Sequence, residues 1–124
     1  MADIANRNDI YNLVKQFYIK LLNDVVLKYF FEDLNTDEKL EKHLQILVNF
    51  WEQQLFYTGT YKRNALKPHL DLHHKKPFAK KHFDQWLNLF NETVDQLYDG
   101  IKAHQAKVKA QSIATVMQIK ILQL

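Results

Sequence analysis

Residues 61–90, YKRNALKPHLDLHHKKPFAKKHFDQWLNLF, hold both prolines and four of the six histidines of a 124-residue chain. The long stretches on either side read as amphipathic helix. Proline forfeits helical hydrogen bonds, so an interruption of this kind points to a segment that holds something. The two glycines, Gly59 and Gly100, join Pro68 and Pro77 at the points where helical periodicity breaks. That agreement between punctuation and period predicts an all-α chain.

Upstream, Ile10, Leu13, Val14, Phe17, Leu21 and Val25 recur at a 3.6-residue period and predict a helix over 8–26, capped by Asn8. Tyr18 points with that apolar face, so its hydroxyl needs an interior partner. Residues 27–34, LKYFFEDL, read as a short helical corner that delivers Phe30 and Phe31 to the core. Asn35 then caps a helix over 36–57, with Leu40, Leu44, Leu47, Phe50, Trp51 and Leu55 inward and Gly59 as its stop. His43, four residues before Leu47, shares the buried face.

Pro68 suits the first position of a short turn beginning near His69. Pro77 is expected to open a helix carrying Phe78, Phe83, Trp86, Leu87, Phe90, Val94 and Leu97, which Gly100 closes. The stretch 101–124 continues as helix through Val108, Ile113, Val116, Met117 and Ile121. With no strand pattern, repeat or linker, residues 1–124 are expected to form one helical domain, a size that buries a sizeable core.

The net charge of +3 comes from 15 lysines and two arginines spread along the chain. A nucleic-acid binder shows a basic stripe instead, and the densest basic runs, at 75–76 and 80–81, read as solvated. No nucleic-acid partner is expected. The absence of cysteine excludes disulfides and thiolate chemistry. MADIANRND at the start lacks a signal peptide's apolar run, and nothing approaches a membrane span, so a cytoplasmic protein without a membrane partner is expected.

His69, His73 and His74 form a His-x-x-x-His-His cluster that could hold a mononuclear zinc ion. No acidic residue has the spacing of a zinc protease, however, and Lys75 and Lys76 repel a cation. A second arrangement explains more of the chain. His69 on the central turn could be an axial ligand to haem iron, its other ring nitrogen donating to a carbonyl. Tyr18, His43 and Trp86, from three helices, each lie on an inward face.

At this point the sequence resembles the truncated haemoglobins, specifically their third, bacterial group. The resemblance rests on Phe17-Tyr18, on His43 seven residues before Phe50-Trp51, on Pro68-His69-Leu70-Asp71-Leu72 and on the stretch HFDQWLNLF at 82–90. It implies a shortened globin fold, a two-over-two helical sandwich around one b-type haem. His69 matches the proximal iron ligand. Tyr18, His43 and Trp86 match the distal polar set, Leu47 an apolar wall beside the iron and Phe31 the aromatic on the haem edge. Arg63 and Lys67, near the proximal turn, are candidates for pairing with the haem propionates. The sequence departs from the family pattern at His73-His74-Lys75-Lys76.

The implied activity is reversible binding of O2, NO or CO. Dioxygen held in such a pocket carries partial negative charge, so a phenol and an indole N–H each stabilise it by about 1–3 kcal/mol in a dry site. Retention that strong suits nitric oxide dioxygenase or peroxidase-like chemistry, fed by an unidentified reductase or electron donor, better than oxygen carriage. The alternatives are a haem-free globin-like binding module and the zinc protein.

Overall fold

The computed structural model describes residues 1–59 and 66–122. Among them are five α-helices: α1 (Arg7–Asn23), α2 (Asp37–Phe56), α3 (Leu66–Lys75), α4 (Lys80–Leu97) and α5 (Ile101–Leu122). A 3-10 turn, Lys28–Phe31, joins the first two and buries Phe30. Helix α1 pairs with α2 and α4 with α5, and the pairs face each other through α1 on α4 and α2 on α5. This is the expected two-over-two sandwich.

The inward faces of α1 and α2 follow the leucine and aromatic spacing. Ile10, Leu13, Val14, Phe17 and Leu21 meet Leu44, Val48, Trp51 and Leu55 in the core. Phe90 is the hub of the aromatic packing. It stacks between Trp51, at 4.9 Å, and Trp86, at 5.8 Å, while Phe17 meets it edge-on at 5.1 Å.

Several boundaries differ from the sequence reading. Asn6, not Asn8, caps α1, its Oδ1 accepting from Asp9 N at 3.0 Å. The helix ends at Asn23, which leaves Val25 outside, 83% exposed. Thr36, not Asn35, caps α2, accepting from Lys39 N at 3.2 Å, while Asn35 accepts from the Lys39 ammonium. Helix α2 stops at Tyr57, itself left-handed at φ 57°, before Gly59 is reached. Pro68 lies inside the first described turn of α3. Helix α4 begins at Lys80, three residues after Pro77, and ends at Leu97 before Gly100.

The largest difference lies in α5. Val108 and Val116 are 52% and 47% exposed, and the buried face is Ala103, Ala106, Ala110, Ala114 and Ile121. Alanines at spacings of three and four bring the backbone of α5 close to its neighbours. The start of this helix is capped from the far end of the chain. Asp3 accepts from the N–H groups of Lys102, at 2.9 Å, and Ala103, at 2.8 Å. Those are orphan donors of the first turn, where negative charge also suits the helix dipole.

A histidine, a tyrosine and a tryptophan around one cavity

A cavity of about 500 Å³ lies among the helices, with a second of about 120 Å³ beside it. Tyr18, His69 and Trp86 line both, as do Ile113 and Met117 of α5. His43 and Leu47 face the larger space, and Phe31 faces the smaller. Six of the eight residues singled out in the sequence therefore line one or other of these two neighbouring cavities. Lys67 does not line it; its ammonium pairs with Asp71 at 3.1 Å on the surface. Arg63 lies outside the described residues.

Tyr18 is buried, and its hydroxyl lies 2.9 Å from Nε2 of His43. Burial pushes the phenol's pKa up, because the phenolate would lose its hydration. Burial also holds His43 below its ordinary value, and repulsion from His69 adds to this. Both groups are neutral at neutral pH. When His43 carries its proton on Nε2 it donates to the Tyr18 oxygen, which leaves the phenol proton free for a guest in the cavity. Tyr18 is fixed from its other sides by edge-on contacts with Phe17 and Phe31 at 5.8 and 5.5 Å.

Trp86 is held by its ring faces, stacked on Phe90 and edge-on to Phe17 at 5.6 Å. Its indole N–H has no acceptor among the described residues, so it is available to whatever fills the cavity. His69 comes from α3, which alone among the described helices has no buried residue.

The other two histidines of the cluster do not join it. Nδ1 of His73 accepts from Phe78 N at 2.8 Å, and His74 is exposed. Among the described residues no three His, Cys, Asp or Glu side chains are grouped to hold a metal ion. The zinc alternative thus finds no ligand set there. The sequence reading gave no role to His82, which lines the smaller cavity with Phe78 and Phe83. Its signal lay in the position, three residues after Ala79, where a side chain reaches back to the start of a helix.

The profile of the bacterial-like globin family matches residues 3–120. The group 3 truncated hemoglobin ctb of Campylobacter jejuni is 33% identical over 118 residues, which are 94% of this chain and 91% of that one. The crystal structure of the group III truncated hemoglobin from Campylobacter jejuni superposes with a TM-score of 0.88 at 31% identity, covering 98% of this chain and 95% of that one. The chain belongs to the bacterial-like globins, in the third group of truncated haemoglobins.

The globin family implies a haem cofactor, and the residues present suit one. The hollow falls within the roughly 300–1,000 Å³ of cofactor sites. Its wall is mainly apolar and aromatic, and its polar groups include the His69 imidazole and the tips of Tyr18, His43 and Trp86.

Proposed function

We propose that the chain binds haem b, with His69 as the axial iron ligand, and reversibly holds O2, NO or CO in the larger cavity against Tyr18, His43 and Trp86. The observation that carries this reading is the convergence of His69 with that polar set on one cavity. Bound haem supplies the ligand-binding iron and its redox chemistry.

The protein's part is to orient and to exclude water. Tyr18 donates its proton to the guest while His43 braces the phenol oxygen. Trp86 presents an N–H that no other described residue engages. Leu47 forms an apolar wall and Phe31 an edge contact. We assign Arg63 and Lys67 to the propionates, Lys67 exchanging Asp71 for the new carboxylate. Residues 1–124 act as one globin domain. Strong retention favours turnover of nitric oxide with oxygen, or peroxidase-like activity, with electrons from a donor yet to be identified, in the cytoplasm. Among the described residues no helix is long and apolar enough to cross a membrane.

The test is an absorbance spectrum of the haem-reconstituted protein, reduced and exposed to carbon monoxide. A Soret band that shifts with carbon monoxide and is lost in His69→Ala is expected. No Soret band after reconstitution would leave the haem-free binding module as the better reading. Tyr18→Phe and Trp86→Phe should keep the haem but release oxygen roughly tenfold faster each, since about 1.4 kcal/mol is a factor of ten. Unchanged oxygen dissociation in both would refute the hydrogen-bond account.

A further inference from the structure

The corner between α3 and α4 is closed by two imidazoles acting on consecutive amides. Nδ1 of His73, on α3, accepts from the N–H of Phe78 at 2.8 Å. Nδ1 of His82, on α4, accepts from the N–H of Ala79 at 2.8 Å. A ring nitrogen that accepts carries no proton, so each neutral ring bears its proton on Nε2. Both rings are packed as well as bonded. His73 lies over Phe78 at 5.7 Å with an interplanar angle of 27°. His82 meets Phe30 edge-on at 4.7 Å, and Phe30 and Phe78 are 4.9 Å apart. His82, Phe30, Phe78 and His69 all line the smaller cavity.

Helix α3 depends on ties of this kind. None of its residues is buried, and its main helix neighbour is α5. Just past its end, the Lys76 ammonium bonds Tyr29 O at 2.7 Å and sits 4.4 Å over the Tyr29 ring. Leu72 of α3 packs only partly buried against the core, so the polar contacts at the corner add to what holds the helix. Its position therefore responds to the loss of either imidazole acceptor.

We propose that His73 and His82 are paired positioning residues, a proton-sensitive clasp that fixes the α3–α4 corner and with it the helix that carries His69. A protonated imidazole is a donor at both nitrogens. On protonation Nδ1–H would face an N–H, the bond would be replaced by repulsion, and the corner would open. The charged and titratable groups around it are Lys81 beside His82, His74 with its ring 6.3 Å from that of His73, Lys75, Lys76 paired with Glu32, and Lys80 paired with Asp84. Burial, and then Lys81, hold His82 below its ordinary proton affinity. The clasp is closed at neutral pH and opens in acid. It stands without the haem reading, and only its effect on the function of His69 rests on that reading.

The experiment is 15N NMR of the full chain between pH 7.5 and about 5, the range in which imidazoles charge. Imidazole 15N shifts should give the Nε2–H tautomer for both rings at the neutral end. Protection factors of the Phe78 and Ala79 amides should fall about tenfold on acidification, the scale of one lost hydrogen bond. The double variant His73→Asn with His82→Asn keeps an acceptor oxygen but cannot titrate, and its protection should stay flat. Double replacement by alanine should leave both amides unprotected throughout. An Nδ1–H tautomer in either ring, acid loss persisting in the asparagine variant, or protection retained in the alanine variant would overturn the clasp. In parallel, transfer of haemin to an acceptor apoprotein should quicken in acid for the wild type and not for the asparagine variant; equal acceleration in both would overturn the link to His69. A chain that takes up no haemin would fail the haem reading while the NMR still decides the clasp.

Discussion

Gly100 stands where no other residue fits. Its φ of +143° is a backbone region that side chains rarely adopt, and a Cβ there would meet Asp3 Cγ at 2.5 Å. Gly100→Ala should destabilise the fold by about 1–3 kcal/mol, the usual cost of such strain, read from the denaturant midpoint. Asp3 itself is a titratable cap. Desolvation pushes its carboxyl up, but N–H bonds from Lys102, Ala103 and Ile4 outweigh this and hold its pKa below the ordinary carboxylate value. A depressed carboxylate stabilises the fold above its ordinary pKa and loses that contribution as pH falls through the folded value. Asp3→Asn should therefore flatten the acid limb of a stability-against-pH curve below about pH 4. An unchanged acid limb would show that the cap is not linked to protons. At this scale the sequence was informative about chemistry and silent about caps. Tyr18, His43 and Trp86 announced themselves as polar tips on apolar faces. Asn6 and Asn8, or Asn35 and Thr36, are equally competent neighbours, and only the path of the chain decides between them.

Among the elements, α1 and α2 were legible because their leucines and aromatics mark the buried stripe directly. Helix α5 was not. Its branched residues Val108 and Val116 face outward, while close approach to α4 and α2 requires the small Ala103, Ala106 and Ala110. Alanine contributes little to a hydrophobic pattern, so the face that matters was the quiet one. Ala106→Leu or Ala110→Leu should cost about 1–3 kcal/mol through overpacking, whereas Val108→Ala should fall within about 0.5 kcal/mol of wild type, as an exposed change does. Chemical denaturation of the three variants checks both statements. Comparable losses in all of them would mean that α5 is not seated by its alanines. The α3–α4 corner was the least legible element. His73 and His74 read as rival metal ligands and His82 had no role, yet His73 and His82 act on backbone amides that no periodicity reveals.

For the whole molecule, the all-α class followed from the helical stripes and the punctuation between them, while the two-over-two arrangement came from the resemblance. The hollow at its centre could be inferred only through resemblance, since a cavity is a property of how helices meet. If haem fills it, stability becomes linked to cofactor. Haemin at about 100 times its dissociation constant should add about 2.7 kcal/mol, seen as a raised melting temperature that His69→Ala abolishes. A melting temperature indifferent to haemin would argue against occupancy of the cavity.

The Asp3 cap on α5 also orders events during synthesis. Its carboxylate waits for the amides of Lys102 and Ala103, some hundred positions later in the chain. A ribosome makes the acceptor some hundred residues before the donors. The cap can form only when the start of α5 has emerged, so α1 to α4 are made before that contact exists. Completion of that cap therefore comes with the start of α5, and a substitution at Asp3 would remove a contact made late in synthesis rather than early.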